Sequence, residues 1–256
     1  MQIGPAVRVA ALALAFLLPL QLSAGTAPDV EKILADIDAL LNFDDTDFAC
    51  VYTIASEKPG EEMSVTQARL FRRDAADQFV LLILKPEARR GQGYLRVEDT
   101  VWFYDPDSRQ FERSSLRENV QDSDAQNSDF TRNSLSEDYA VTEWQEGALG
   151  SAGIPVWILT LRARSEDVSY ETLKIWVRQD RSVVLKEESY SVSGRLMRST
   201  YYPKYIQVGQ RYLPSQALIV DELNVGEKTQ LSLKDASVAA IPDYVFTKQY
   251  LELVNR

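Results

Sequence analysis

From Phe48 onward the chain is nearly all a succession of short strand-like runs. They span residues 48–57, 64–72, 78–84, 92–97, 101–104 and 110–113. After a polar gap come 139–145, 154–162, 172–179, 182–191, 196–205, 210–221 and 228–236. Parallel neighbours would need crossovers of about a dozen residues or more. Connections such as Lys58-Pro59-Gly60 and Ser193-Gly194 are turns, which join antiparallel strands. So many strands in one chain point to an antiparallel barrel or a strongly curved sheet. No shift in composition divides the series, so it reads as one domain from about residue 28 to residue 256.

Some runs are apolar on both faces. Phe79-Val80-Leu81-Leu82-Ile83-Leu84 has no polar position, which implies burial on either side. In Val101-Trp102-Phe103-Tyr104 alternation sends Val101 and Phe103 one way and Trp102 and Tyr104 the other. An ordinary central strand needs this pattern, and so does a curved sheet that encloses something greasy. Large side chains available to line an interior include Phe79, Leu81, Ile83, Leu95, Val97 and Trp102, with Tyr104, Trp157, Leu159 and Ile175. An antiparallel barrel of this size fills its centre with such residues or leaves a cavity for one apolar ligand.

Two stretches depart from the strand pattern. Val30, Ile33, Leu34, Ile37, Leu40 and Leu41 recur at helical spacing behind the capping residue Asp29, predicting an amphipathic helix that packs on the sheet. Residues 114–138 are rich in Asp, Asn and Ser. Helical turns are expected there at 116–120 and 130–135. A polar segment of this length inside a domain is a linker or a functional lid. A helix-like tail over 246–254 ends the chain.

The N-terminus sets the expected compartment. Arg8, an apolar run over 9–20 and the small residues Ser23, Ala24, Gly25 and Ala27 have the organisation of a secretory signal peptide. The expected cut lies near Gly25, making residues 1–25 the signal, with Ala24 and Ala27 as alternative sites. The run is shorter than a membrane-spanning helix needs. No cysteine stands at the start of the mature chain to carry a lipid, so the expectation is a soluble periplasmic protein. The only cysteine, Cys50, sits in a strand-like run, where it reads as a small buried hydrophobe.

Charge and chemistry narrow the functions further. With 28 basic and 38 acidic residues the net charge is −10, which argues against nucleic acid as a partner. The chain has no histidine, so Ser-His-Asp and Cys-His nucleophile systems and histidine-containing zinc sites are impossible. Gly91-Gln92-Gly93 lacks the third glycine and the following helix of a dinucleotide fingerprint. The carboxylates at Asp44-Asp45, Asp47, Glu61-Glu62 and Glu187-Glu188 read as solvated turn or strand-face residues. The expectation is a protein that is not an enzyme, with no cofactor and no metal.

The run Arg90-Gly91-Gln92-Gly93-Tyr94-Leu95 followed by Trp102-Phe103-Tyr104-Asp105-Pro106 resembles the periplasmic lipoprotein carriers of the LolA type. It is closer still to the outer membrane lipoprotein-sorting protein branch of that superfamily. Arg109, Arg113-Ser114, Ser128-Asp129-Phe130, Glu137-Asp138, Glu227-Lys228-Thr229, Ile241-Pro242 and Val245-Phe246-Thr247 continue the likeness. The resemblance implies a mainly β, single-domain open half-barrel, covered by the N-terminal helix and by a lid of short helices over 114–138. It favours a cavity lined by the apolar residues named above. It also implies a cargo of lipoprotein acyl chains or another lipid, an inner-membrane ABC-type transporter as partner and an outer-membrane acceptor. An arginine in the strand before the first long apolar strand would tether the cover. Arg69, Arg72 and Arg73 stand there, and Arg73 matches best by its distance to Phe79, although Asp74 replaces the family's proline. Two rival readings are a lipid- or lipoprotein-sensing module of the same fold and an enzyme working through a carboxylate pair.

Overall fold

The computed structural model describes residues 27–97, 100–166 and 168–254; the expected signal peptide lies outside them. Helix α1 spans Val30–Leu41 and begins where Asp29 accepts a hydrogen bond from the Lys32 amide at 3.0 Å. Its apolar stripe turns Leu34 and Ile37 into the protein. No described helix is long and apolar enough to cross a membrane.

The strands are β1 (Phe48–Glu57), β2 (Ser64–Arg73), β3 (Gln78–Lys85), β4 (Gly93–Val97), β5 (Thr100–Asp105) and β6 (Gln110–Ser114). There follow β7 (Tyr139–Leu149), β8 (Ile154–Ala163), β9 (Thr172–Arg178), β10 (Val184–Tyr190), β11 (Leu196–Val208), β12 (Arg211–Asp221) and β13 (Lys228–Ser237). They form one antiparallel sheet in the order β6-β5-β4-β3-β2-β1-β13-β12-β11-β10-β9-β8-β7. Two meanders therefore meet at the β1–β13 pair, and the sheet is curved and open, not closed into a barrel. Its outer strands, β6 and β7, are consecutive in sequence. The segment 115–138 that joins them has to pass from one edge to the other, and it does so over the inner face. Topology alone makes it a cover.

That cover is built mostly without helix. A 3-10 turn at Asn127–Phe130 and a single turn of helix α2 (Leu135–Asp138) are its only described helices. Both lie close to the expected second turn, whereas 116–120 forms turns and the Asn119–Gln126 bridge instead. Val120, Ala125 and Phe130 are fully buried against the inner-face core. A second core lies under α1, where Leu34 and Ile37 meet Leu159, Leu161, Leu173 and Ile175.

The outer face of β3–β5 has its own cover, the turn Asp243–Phe246 and helix α3 (Lys248–Leu253). Val80, Leu82, Leu95 and Tyr104 pack there against Val245, Phe246 and Leu251. The six-residue apolar run of β3 is thus buried on both sides, as its composition predicts. Gly93 belongs to this contact, since a Cβ on it would stand 2.7 Å from Leu251 Cδ2.

Candidate functional site

Between the central strands and the two inner covers lies a cavity of about 300 Å³. Its floor is β1 and β9–β13, and its roof is α1, the 128–139 stretch and residues 168–170. Ile37, Leu41, Phe48, Leu213, Ile219 and Leu231 provide apolar wall. At roughly 30 Å³ for a group the size of water, the cavity has room for about ten such groups, a single acyl chain in scale.

Hydrogen bonds fasten the roof. Arg72 on β2 donates to the backbone oxygens of Leu41 at 2.7 Å and Thr131 at 2.9 Å, so one guanidinium joins the end of α1 to segment 115–138. Its Nε lies 2.6 Å from the buried Asp74 carboxylate, and its Cζ lies 5.6 and 5.5 Å from the ring centroids of the stacked pair Phe43 and Phe48. Asp38 of α1 accepts hydrogen bonds from Asn133 Nδ2 at 2.6 Å and from the Leu135 and Ser136 amides at 3.0 and 2.8 Å. Those last two are amides that the start of α2 would otherwise leave unpaired. Asn42 and Asn133 exchange two hydrogen bonds of 2.7 Å. From the other half of the sheet, Arg198 on β11 grips Asp129 with both terminal nitrogens, at 2.8 and 3.2 Å.

The tether expected at Arg73 falls on its neighbour. Alternation on β2 points Arg72 inward to the roof and Arg73 outward. There Arg73 pairs with Asp47 and Asp243 and donates to the Ile241 oxygen. Arg73 thus ties down the C-terminal cover.

The ten expected lining residues divide among three places, none of them on the cavity wall. Phe79, Leu81 and Ile83 are packed solid beneath segment 115–138. Leu95, Val97 and Tyr104 are on the outer face. Trp102 pairs across the ladder with Leu95, on that same face, and carries Lys248 Nζ 3.1 Å from its ring centroid. Trp157, Leu159 and Ile175 pack under α1. The wall comes instead from the middle of the sheet, where inner positions are smaller or polar: Ala217, Thr200, Glu187. In sequence these look like interruptions of an apolar face, and that interruption is the signal that marks the space.

Glu187 departs from the solvated reading given to the acidic pairs. Burial pushes its carboxyl up, and it accepts a hydrogen bond from Ser189 Oγ at 3.3 Å. Its neighbour Glu188, on the opposite face, is paired with Lys186 at 2.5 Å. Cys50 lies in the inner core with its thiol pushed up to about 12 by burial, so it stays protonated and unreactive. Away from the cavity, one carboxylate oxygen each from Asp124, Asp221 and Glu227 lie within 4.8 Å of one another, a grouping of the type that can ligate a hard cation.

The model of a family described as "Uncharacterized protein" matches residues 75–253. No curated protein matches the chain. Among solved structures, a LolA superfamily protein from Nitrosomonas europaea is 24% identical with a TM-score of 0.75, over 88% of this chain and 100% of that one. A protein described as an outer membrane lipoprotein-sorting protein domain, from Vibrio parahaemolyticus, is 19% identical with a TM-score of 0.74, over 87% of this chain and 97% of that one. A DUF1329 family protein from Desulfovibrio piger is 17% identical with a TM-score of 0.74, over 86% and 97%. At these identities the common property is the fold: an open antiparallel sheet of the LolA kind. The chain belongs to the family matched over residues 75–253, and its fold is LolA-like.

Proposed function

We propose that this protein is a periplasmic carrier that holds the acyl chain of a lipoprotein, or of another lipid, in the cavity beneath its roof. The observation that carries this reading is an apolar-walled cavity closed by a segment fastened through hydrogen bonds. Hydrogen bonds can be exchanged for water when the segment lifts, at a net cost of about 1 kcal/mol each. An acyl chain entering the space gains roughly 0.8 kcal/mol per buried methylene, so a modest chain offsets the opening. The likeness to a lipoprotein-sorting domain supports the cargo class. Cargo would come from an inner-membrane ABC-type transporter and pass to an outer-membrane acceptor.

Native mass spectrometry of protein purified from its own periplasm, followed by lipid extraction, tests this directly. The expected result is an acylated species at defined stoichiometry, lost in Ala217→Trp, which fills the cavity from β12. A clean apo mass, with no uptake of fluorescent fatty acid or lipopeptide, overturns the carrier reading.

A further inference from the structure

The cavity is not uniformly greasy. Glu187 stands opposite Thr200 in the β10–β11 ladder, and Ser189 stands opposite Arg198. Positions two apart share a face, so the four side chains form one polar patch on the inner surface. Ser189, Arg198 and Thr200 are almost completely buried.

Three carboxylates line the cavity, and they are not equivalent. Asp129 is neutralised by Arg198. Asp138 accepts a hydrogen bond from Ser134 Oγ at the rim of the roof. Glu187 has no ion pair of its own among the described residues; Arg198 in the same patch draws its carboxyl down, but its terminal nitrogens are held by Asp129, so two carboxylates face one guanidinium. The other guanidiniums on the wall are committed elsewhere, Arg72 to Asp74 and Arg132 to Asp77 and Glu137. An ionised Glu187 would therefore leave this pole of the cavity with one uncompensated negative charge. Burying such a charge is costly, and the upward push on its carboxyl is the sign of that cost.

Five tyrosines line the same cavity: Tyr52, Tyr139, Tyr170, Tyr202 and Tyr205. Burial pushes up the hydroxyls of Tyr139, Tyr202 and Tyr205, and the negative charge of Glu187 adds to the effect, which places all three within its field. A carboxylate among aromatic side chains in a partly desolvated pocket is the chemistry that selects an ammonium group. The carboxylate supplies the counter-charge, and ring faces attract cations by about 2 kcal/mol or more when water is excluded.

We infer that the Glu187 pole is a headgroup subsite that takes the ammonium group of an amphiphile whose chain occupies the apolar part of the cavity. The inference rests on the carrier reading and names the polar class of its cargo. Glu187 is the counter-ion, the tyrosines form the cage, and Arg198 is held off the ligand by Asp129. An amine-headed lipid and an acylated peptide with a free amino group both present this chemistry.

Calorimetric titration with dodecylamine, dodecanol and dodecanoic acid tests it, because the three share one chain. The expected result is binding of the amine about tenfold or more tighter than the alcohol, the weight of a desolvated cation–π contact with its counter-ion. Dodecanoic acid should bind weakest. Glu187→Gln should erase the preference for the amine while dodecanol still binds, which shows that fold and cavity survive. Equal affinities for amine and alcohol, or a preference unchanged in Glu187→Gln, overturn the subsite and leave the carrier reading standing. Failure of all three probes overturns both. A lysophospholipid with an ethanolamine head and a lipopeptide with a free amino terminus then separate the sources. Acetylation of whichever one binds should abolish its advantage; retained affinity overturns the inference.

Discussion

Arg72 and Arg73 are adjacent in sequence and hold down opposite covers. Arg72 faces inward and grips two backbone oxygens of a roof that stands over the cavity. Arg73 faces outward and grips a C-terminal segment whose Val245, Phe246 and Leu251 are packed against the sheet. The inner cover is packed at Val120, Ala125 and Phe130 but fastened by polar bonds where it spans the cavity, whereas the outer one is packed through Val245, Phe246 and Leu251. Polar bonds can be traded for water one at a time, whereas a packed apolar contact is lost as a unit with its area. On the carrier reading, the cover over the cavity is the one expected to lift and the outer one the one expected to stay in place.

The sharpest way to break this comparison is at Arg72. Arg72→Met strips the buried Asp74 carboxylate of its counter-charge and releases both roof oxygens. Removal of one partner of a buried ion pair costs about 3–5 kcal/mol, which denaturant unfolding would measure. Hydrogen exchange should rise across 128–136 and remain unchanged across 243–251. Equal acceleration at both covers would mean that the two are not separable.

On the outer side, Leu251→Ala should cost about 2–5 kcal/mol, as large-to-small changes in packed cores do, without altering lipid uptake. The contact between Gly93 and Leu251 sharpens this. Gly93→Ala alone should destabilise by about 1–3 kcal/mol through overpacking, and by less in the Leu251→Ala background, where the obstructing methyl groups are gone. Additive effects in the double variant would show that the close approach is not what requires glycine.

At the roof, Asp38→Ala removes the acceptor for the first amides of α2 and for Asn133. Unpaired groups of this kind cost about 1–3 kcal/mol. Unlike Leu251→Ala, this variant should load a fluorescent fatty acid faster in stopped-flow mixing. An unchanged loading rate would mean that the roof is not what limits entry.

How much of this was legible in the sequence follows from the range of each interaction. The strand series, the α1 stripe and the doubly buried β3 are local patterns, and the structure reproduces them closely. Alternation also grouped side chains correctly by parity. It could not say which parity faces inward, so Phe79, Leu81 and Ile83 were joined with Leu95, Val97, Trp102 and Tyr104 from the other side. That choice is made only when the α3 cover and segment 115–138 each settle on a face. The tether was displaced by one residue for the same reason. Asp38 was hidden because its partners are nearly a hundred positions away, at Asn133 and Ser136. Glu187 was hidden because a carboxylate facing a cavity and a wet one are spelled alike.

The smallest expected effect comes from Asp47, where pH can separate the covers. Arg73 hydrogen-bonds this carboxylate and holds it below the usual range, with help from the Ile241 amide. A carboxylate whose folded pKa is depressed stabilises above its unfolded pKa, near about 4, and loses that contribution as pH falls through the folded value. Asp47→Asn should accordingly be less stable than the parent by about 1 kcal/mol at neutral pH. The gap should be constant from about pH 5 to 8 and shrink below about pH 4 as Asp47 itself becomes neutral. Because this pair anchors the segment from Ile241 to Phe246, local exchange there should rise in the variant while fatty acid loading stays as it was. A gap that persists undiminished at pH 3 would show that the anchor depends on the shape of the side chain and not its charge. A change in loading would couple the outer cover to the roof through the arginine pair on β2.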